Sequence, residues 1–205
     1  MFLKKFNNTK LLVALLLAVA SGGLTAADIT AKLPSRISTV TAGGEPVVLL
    51  GDELKTGQPA PAFKVVDNNF KPVSLADFKG QTVLLSIVPS IDTGICSLQT
   101  KRFNEEVSKL PDSVTLLTIS TDLPFAQKRF CEQEQVASMA VLSDAVWRDF
   151  GSSYGLLIKD MGLLTRAIIV IDNQGKVAYQ QLVPELAQEP DYNAALQALR
   201  KVLGN

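Results

Sequence analysis

Two cysteines and no histidine set the range of chemistry open to this chain of 205 residues. Without histidine there is no Ser-His-Asp or Cys-His catalysis, no histidine zinc site and no imidazole base. Two thiols cannot complete a four-thiolate metal centre, and neither a calcium-loop spacing nor a Gly-rich phosphate loop is visible. What remains is sulfur chemistry. Cys96 closes the stretch "PSIDTGIC", which follows the apolar run "TVLLSIV". That pattern predicts a buried strand, a turn and a helix from about Gly94, with Cys96 in its first turn. Unpaired N–H groups and the positive dipole end at a helix start favour a thiolate over a thiol. Thr93, one helical turn earlier, brings a hydroxyl within reach of the sulfur or of an oxygen bound to it. Gly94 leaves room for a small substrate to approach the backbone.

The elements that must position these residues alternate along the chain. "RISTV" and "PVVLL" flank Gly43-Gly44 as a hairpin, inside an amino-terminal extension over residues 28–57. "FKVVD" and "PVSL" make a second hairpin around Asn68-Asn69. Ile95, Leu98, Phe103, Val107 and Leu110 recur at near-helical spacing after the "TVLLSIV" strand. "VTLLTIS" is another buried strand. "TDLPFAQKRFCEQEQ" opens a helix that carries Cys131, with Asp122 as N-cap and Pro124 in the first turn. "MAVLS" reads as a strand, "AVWRDFG" as a short helix ended by Gly151, and "RAIIVID" with "KVAYQQLV" as a hairpin. "DYNAALQALRKVL" is an amphipathic last helix. The class is α/β, with a mixed central sheet flanked by helices over residues 58–205. Leu98, Phe125 and Leu163 are read as core residues in preference to lining for an alkyl tail.

The amino end reads as an address. Lys4, Lys5 and Lys10 precede an apolar run over residues 11–20, and no acid appears before Asp28. Thr25 and Ala27 are the small residues expected before a cut, so residues 1–27 are predicted to be a cleaved signal peptide and the mature chain periplasmic. The apolar run is too short to span a bilayer, and no membrane insertion is expected after processing. Lysines and arginines balance acids at 20 each, and three lysines leave with the signal. A slightly acidic chain without a basic patch is a poor partner for nucleic acid.

Taken singly, each reactive feature has a plain structural reading. Thr93 caps a helix, Pro89 ends a strand, and Arg166 is a solvated arginine at a strand edge. An even cysteine count in an exported chain reads as a structural Cys96–Cys131 disulfide. The joint arrangement points elsewhere. "PSIDTGIC", with "GQPAPAF", "STDLPFAQKRFC" and "EPDYNAAL", resembles the Tpx-type thiol peroxidases, atypical two-cysteine peroxiredoxins, from about Val47 to Leu203. The resemblance implies a thioredoxin-like fold and the reduction of hydroperoxides without a cofactor or metal. By the same resemblance Cys96 is the peroxidatic cysteine and Cys131 the resolving one. Thr93 holds the peroxide and the thiolate, Pro89 shields the sulfur, and Arg166 stabilises the thiolate and the peroxide oxygens. It also implies an intrasubunit Cys96–Cys131 disulfide, a thioredoxin-like protein reductant and a homodimer. The rivals are an exported thiol–disulfide oxidoreductase, which the lack of a C-x-x-C pair disfavours, and a binding module stapled by Cys96–Cys131.

Overall fold

The computed structural model describes residues 33–107 and 109–204, so the expected signal peptide over residues 1–27 lies outside the described residues. The first expected hairpin forms as β1 (Ser35–Ala42) and β2 (Glu45–Leu50), antiparallel about Gly43-Gly44. Both glycines hold φ near 62° and 87°, a region in which side-chain-bearing residues are strained. The second hairpin is β3 (Lys64–Val66) and β4 (Pro72–Ser74), followed by a 3-10 turn over Leu75–Phe78. Then come β5 (Thr82–Ile87), α1 (Gly94–Val107), β6 (Val114–Ser120), α2 (Pro124–Gln133) and β7 (Ala140–Ser143). The chain continues through α3 (Asp149–Ser153), β8 (Leu157–Ile158), β9 (Ala167–Ile171), β10 (Val177–Leu182) and α4 (Tyr192–Leu203).

Seven strands form one mixed sheet in the order β10-β9-β5-β6-β7-β3-β4, with β5, β6 and β7 parallel. β5 is buried at all six positions, as a central strand covered on both faces must be. Its alternate residues enter two cores. Val83, Leu85 and Ile87 pack with Phe63, Phe150 and Tyr154, while Leu84 packs with Phe103 of α1 and Tyr192, Leu196 and Leu199 of α4. Truncating a side chain as large and buried as Phe103 to alanine costs about 3–5 kcal/mol.

Two local expectations fail for physical reasons. β8 was not foreseen, because two residues are too short to show a period. It pairs with β2 through Leu49↔Ile158 and Leu50↔Leu157, so the amino-terminal hairpin becomes a three-stranded sheet. Gly151 does not end a helix; α3 runs through it. A Cβ there would lie 2.6 Å from Cδ2 of Leu164, so glycine serves close packing at this position. The carboxylate of Asp144 accepts hydrogen bonds from the amides of Phe150 (3.0 Å) and Gly151 (2.9 Å), and burial pushes its pKa up to about 6.

Candidate active site

β5 and β6 run parallel with Ile87 opposite Ile119, so the loops that leave their carboxyl ends are neighbours. One loop leads to Cys96 and the other to Cys131. β9 is antiparallel to β5 with Ala167 opposite Ile87, which brings Arg166, just before β9, to the same edge. Sheet register alone therefore gathers three of the expected residues.

Cys96 is the third residue of α1 and is fully buried beside Val88, Ile91, Phe130, Val136 and Val141. Its Sγ accepts a hydrogen bond from Nη2 of Arg166 at 3.2 Å. The solvated-edge reading of Arg166 is wrong: the side chain is 1% exposed. Nε and Nη2 donate to the carbonyl of Leu186 at 3.0 and 2.8 Å, and Nη1 donates to Oε1 of Gln99 at 2.7 Å. The ion pairs among the described residues, Lys101–Glu134 and Lys109–Glu106, leave Arg166 out. A buried guanidinium without a carboxylate calls for another anion, and the sulfur in contact with it can become one.

Gln99 was missed. It is fully buried and fixed in turn by Nε2 donating to Oγ of Ser86 at 2.8 Å. The inner stripe of α1 is Cys96, Gln99, Thr100 and Phe103, each with no exposure, at i, i+3, i+4 and i+7. An expectation built on apolar residues alone picked Leu98, which is 49% exposed. Phe125, also read as core, is 68% exposed and packs its ring 5.1 Å from Phe70. Leu163 is partly buried against Val40, Val47 and Leu49.

Pro89 is buried just after β5, and Thr93 is exposed at the start of α1. The Thr93 hydroxyl and amide both donate to the carbonyl of Ser90 at 3.2 Å, so Ser90 sets the place of Thr93. Asp122 does not cap α2. Its Oδ1 accepts from Oγ of Ser90 (2.7 Å), and its Oδ2 from the Ile91 amide (2.8 Å) and Oγ of Ser120 (2.6 Å). The N-cap is Leu123, without a side-chain bond, and Pro124 opens the helix as expected.

Cys131 is half-buried on α2 and borders the same apolar cluster as Cys96; both are free thiols. Burial pushes the Cys131 thiol pKa up, and Nδ2 of Asn68, 4.0 Å from Sγ, acts against that shift. Behind Arg166, β1 holds the segment that presents the Leu186 carbonyl. The Thr41 amide donates to Pro184 (2.7 Å) and the Leu186 amide donates to Thr41 (2.9 Å). The Glu185 carboxylate accepts from the Thr41 hydroxyl (2.7 Å) and from the amides of Gly44 (3.0 Å) and Gly43 (3.1 Å), which hold its pKa down to about 2.

The redoxin family pattern matches residues 55–196, a span that contains Pro89, Thr93, Cys96, Cys131 and Arg166. The thiol peroxidase of Oceanobacillus iheyensis is 46% identical over 165 residues, which are 80% of this chain and all of that protein. The chain belongs to the thiol peroxidases of the redoxin family. Within that family, the thiol peroxidase of Bacillus subtilis is 43% identical over 82% of this chain and 99% of its own. A peroxiredoxin-like protein from Aquifex aeolicus has a similar structure, with a TM-score of 0.76 and 39% identity over 82% of this chain and 99% of that one. For a thiol peroxidase family member the thioredoxin-like, mixed-sheet fold is as expected, and the amino-terminal hairpin is present.

Proposed function

We infer that this protein reduces hydroperoxides with the thiolate of Cys96. The contact that carries the reading is the 3.2 Å hydrogen bond from a buried, carboxylate-free Arg166 to Cys96 Sγ at a helix start. The guanidinium and the α1 amides favour negative charge on sulfur, so no histidine base is needed. The sulfur attacks one peroxide oxygen and the O–O bond breaks. The leaving oxygen takes its electron pair and a proton to become water or an alcohol, and Cys96 becomes a sulfenic acid. Arg166 is placed to hold the oxygens as charge develops, and the Thr93 hydroxyl can join it by turning from the Ser90 carbonyl. Cys131 then loses its proton and attacks the Cys96 sulfur, which forms the disulfide and releases water. A thioredoxin-type dithiol protein reduces that bond by exchange.

A structural disulfide leaves the buried guanidinium on Cys96 without a role. Both cysteines are free thiols and the Cys96 sulfur is engaged by Arg166, an arrangement that suits a transient bond better than a permanent staple. Thiol titration tests the reading. One equivalent of hydrogen peroxide is expected to remove both thiols quickly, whereas Cys131→Ser stops at one sulfenic acid per chain. Thiols that survive the peroxide would overturn it.

We propose further that the mature chain works in the periplasm as a homodimer. Export is supported by the basic, then apolar, then small-residue pattern of the first 27 residues. The matched relatives are spanned almost completely while about a fifth of this chain lies outside each match, which leaves room for an added segment. No helix among the described residues is long and apolar enough to cross a membrane. The homodimer rests on family likeness, and sedimentation of the mature protein measures it.

A further inference from the structure

Both cysteine-bearing elements hang on one carboxylate. We propose that Asp122 is a positioning residue that holds the Cys96 loop and the Cys131 helix together in their reactive fold, and that its release couples the opening of the two. The inference rests on the peroxidase reading, because only a disulfide that forms in each cycle requires both elements to move.

The connection is continuous. On the loop side Asp122 takes the Ser90 hydroxyl and the Ile91 amide, and the Ser90 carbonyl takes both donors of Thr93. On the helix side Asp122 takes the Ser120 hydroxyl, whose oxygen accepts from Nε2 of Gln127 at 2.9 Å. Gln127 is fully buried on α2, one helical turn before Cys131, and also donates to the Leu142 carbonyl at 2.9 Å. Thr93 and Gln127, the latter one helical turn before Cys131, therefore stand at the two ends of a single hydrogen-bonded chain whose middle is the Asp122 carboxylate.

Two features leave the polar hold on α2 incomplete. Asp122 is turned towards the loop, so the helix start at Leu123 has no side-chain cap. The Oε1 of Gln127 is buried without a partner, so the polar anchor of the helix holds through its amide nitrogen alone. When the loop lets go of Asp122, the carboxylate keeps the Ser120 hydroxyl but loses the two partners that fix its orientation, and the seat of Gln127 loosens with it. Opening one side lowers the barrier on the other.

The two chemical steps then depend on Asp122 with opposite sign. Oxidation of Cys96 by peroxide, with release of water or alcohol, needs the folded loop. Condensation of the sulfenic acid with Cys131, with release of water, needs the open one. Rapid quenching with mass spectrometry separates them, using Cys131→Ser protein for the first step and the native cysteine pair for the second. Asp122→Asn is expected to slow the first step about tenfold, the loss of one charge-assisted hydrogen bond, and to speed disulfide closure several-fold. Sulfinic acid at Cys96 should then require more peroxide than in the parent. Ser90→Ala and Ser120→Ala each cut one arm and should move both rates in the same senses by less, which keeps the test open if Asp122→Asn folds poorly. A reactive parent whose variants slow both steps together, or change neither, overturns this inference alone. A parent that leaves Cys96 unoxidised overturns the peroxidase reading and this inference with it.

Discussion

The Sγ of Cys96 accepts a 3.2 Å hydrogen bond from Nη2 of Arg166, and neither side chain is open to solvent. If that bond helps to stabilise the attacking sulfur and the departing oxygen, Arg166→Ala should slow oxidation of Cys96 at least tenfold, the kinetic equivalent of about 1.4 kcal/mol. Arg166→Lys keeps a charge but loses the fork that spans Gln99, Leu186 and the sulfur, so it should recover only part of the rate. Stopped-flow measurement of the second-order rate with peroxide checks both. An unchanged rate in Arg166→Ala would sink the assignment.

Disulfide closure should be pH-dependent. Burial raises the Cys131 pKa above its usual 9.0, and the attacking species is the thiolate. Between pH 6 and 8 the rate should therefore climb about tenfold per pH unit, as the thiolate fraction does below a pKa. Asn68→Ala removes an amide that favours the thiolate and should move the profile to higher pH. The same shift has a stability consequence of definite sign. Above pH 9 the unfolded chain releases this proton before the folded one, so stability falls as pH rises through the unfolded value towards the folded one. A closure rate that is flat from pH 6 to 8 would contradict the prediction.

The two redox forms should differ little in stability, or favour the reduced one. Closing the loop from Cys96 to Cys131 restricts the unfolded chain by about 3.5–4 kcal/mol in the chain-entropy model. Taking the sulfur away from Arg166 removes one hydrogen bond to a buried guanidinium, about 1.5–3 kcal/mol, and closure also unwinds helical turns around the two cysteines. These terms cancel or tip against the disulfide. Denaturant melts of the reduced and oxidised protein measure the difference, and an oxidised form several kcal/mol more stable would restore the staple.

Processing should leave an amino terminus near Asp28. The mass of the exported chain checks this, and a soluble cytosolic form that retains Met1 would contradict it.

Much of the site was legible because strand patterns set register, and register sets neighbours. "TVLLSIV" and "RAIIVID" became β5 and β9, whose pairing carries Arg166 to Cys96. The burial of Arg166 was not legible from the residues themselves, since arginine is mostly a surface residue. Its seat is made by Gln99 and by a backbone carbonyl at Leu186, and a carbonyl leaves no mark in a sequence. Gln99 was hidden for a related reason: a polar residue on the inner stripe of α1 breaks the apolar period that marks such a stripe in a sequence. Asp122 stood where an N-cap belongs, and only the three-dimensional proximity of the Ser90 loop redirects it.

A single residue separates β1 from the guanidinium: the N–H of Leu186 is bonded to Thr41, and its C=O to Arg166. The seam near Gly57, natural as it looks along the sequence, is therefore no place to cut or graft. A fragment trimmed to residues 58–205 would carry both thiols and the arginine, yet lack the brace that aims one at the other. Modular swaps that keep this chemistry must carry the strand containing Thr41 along with the cysteines.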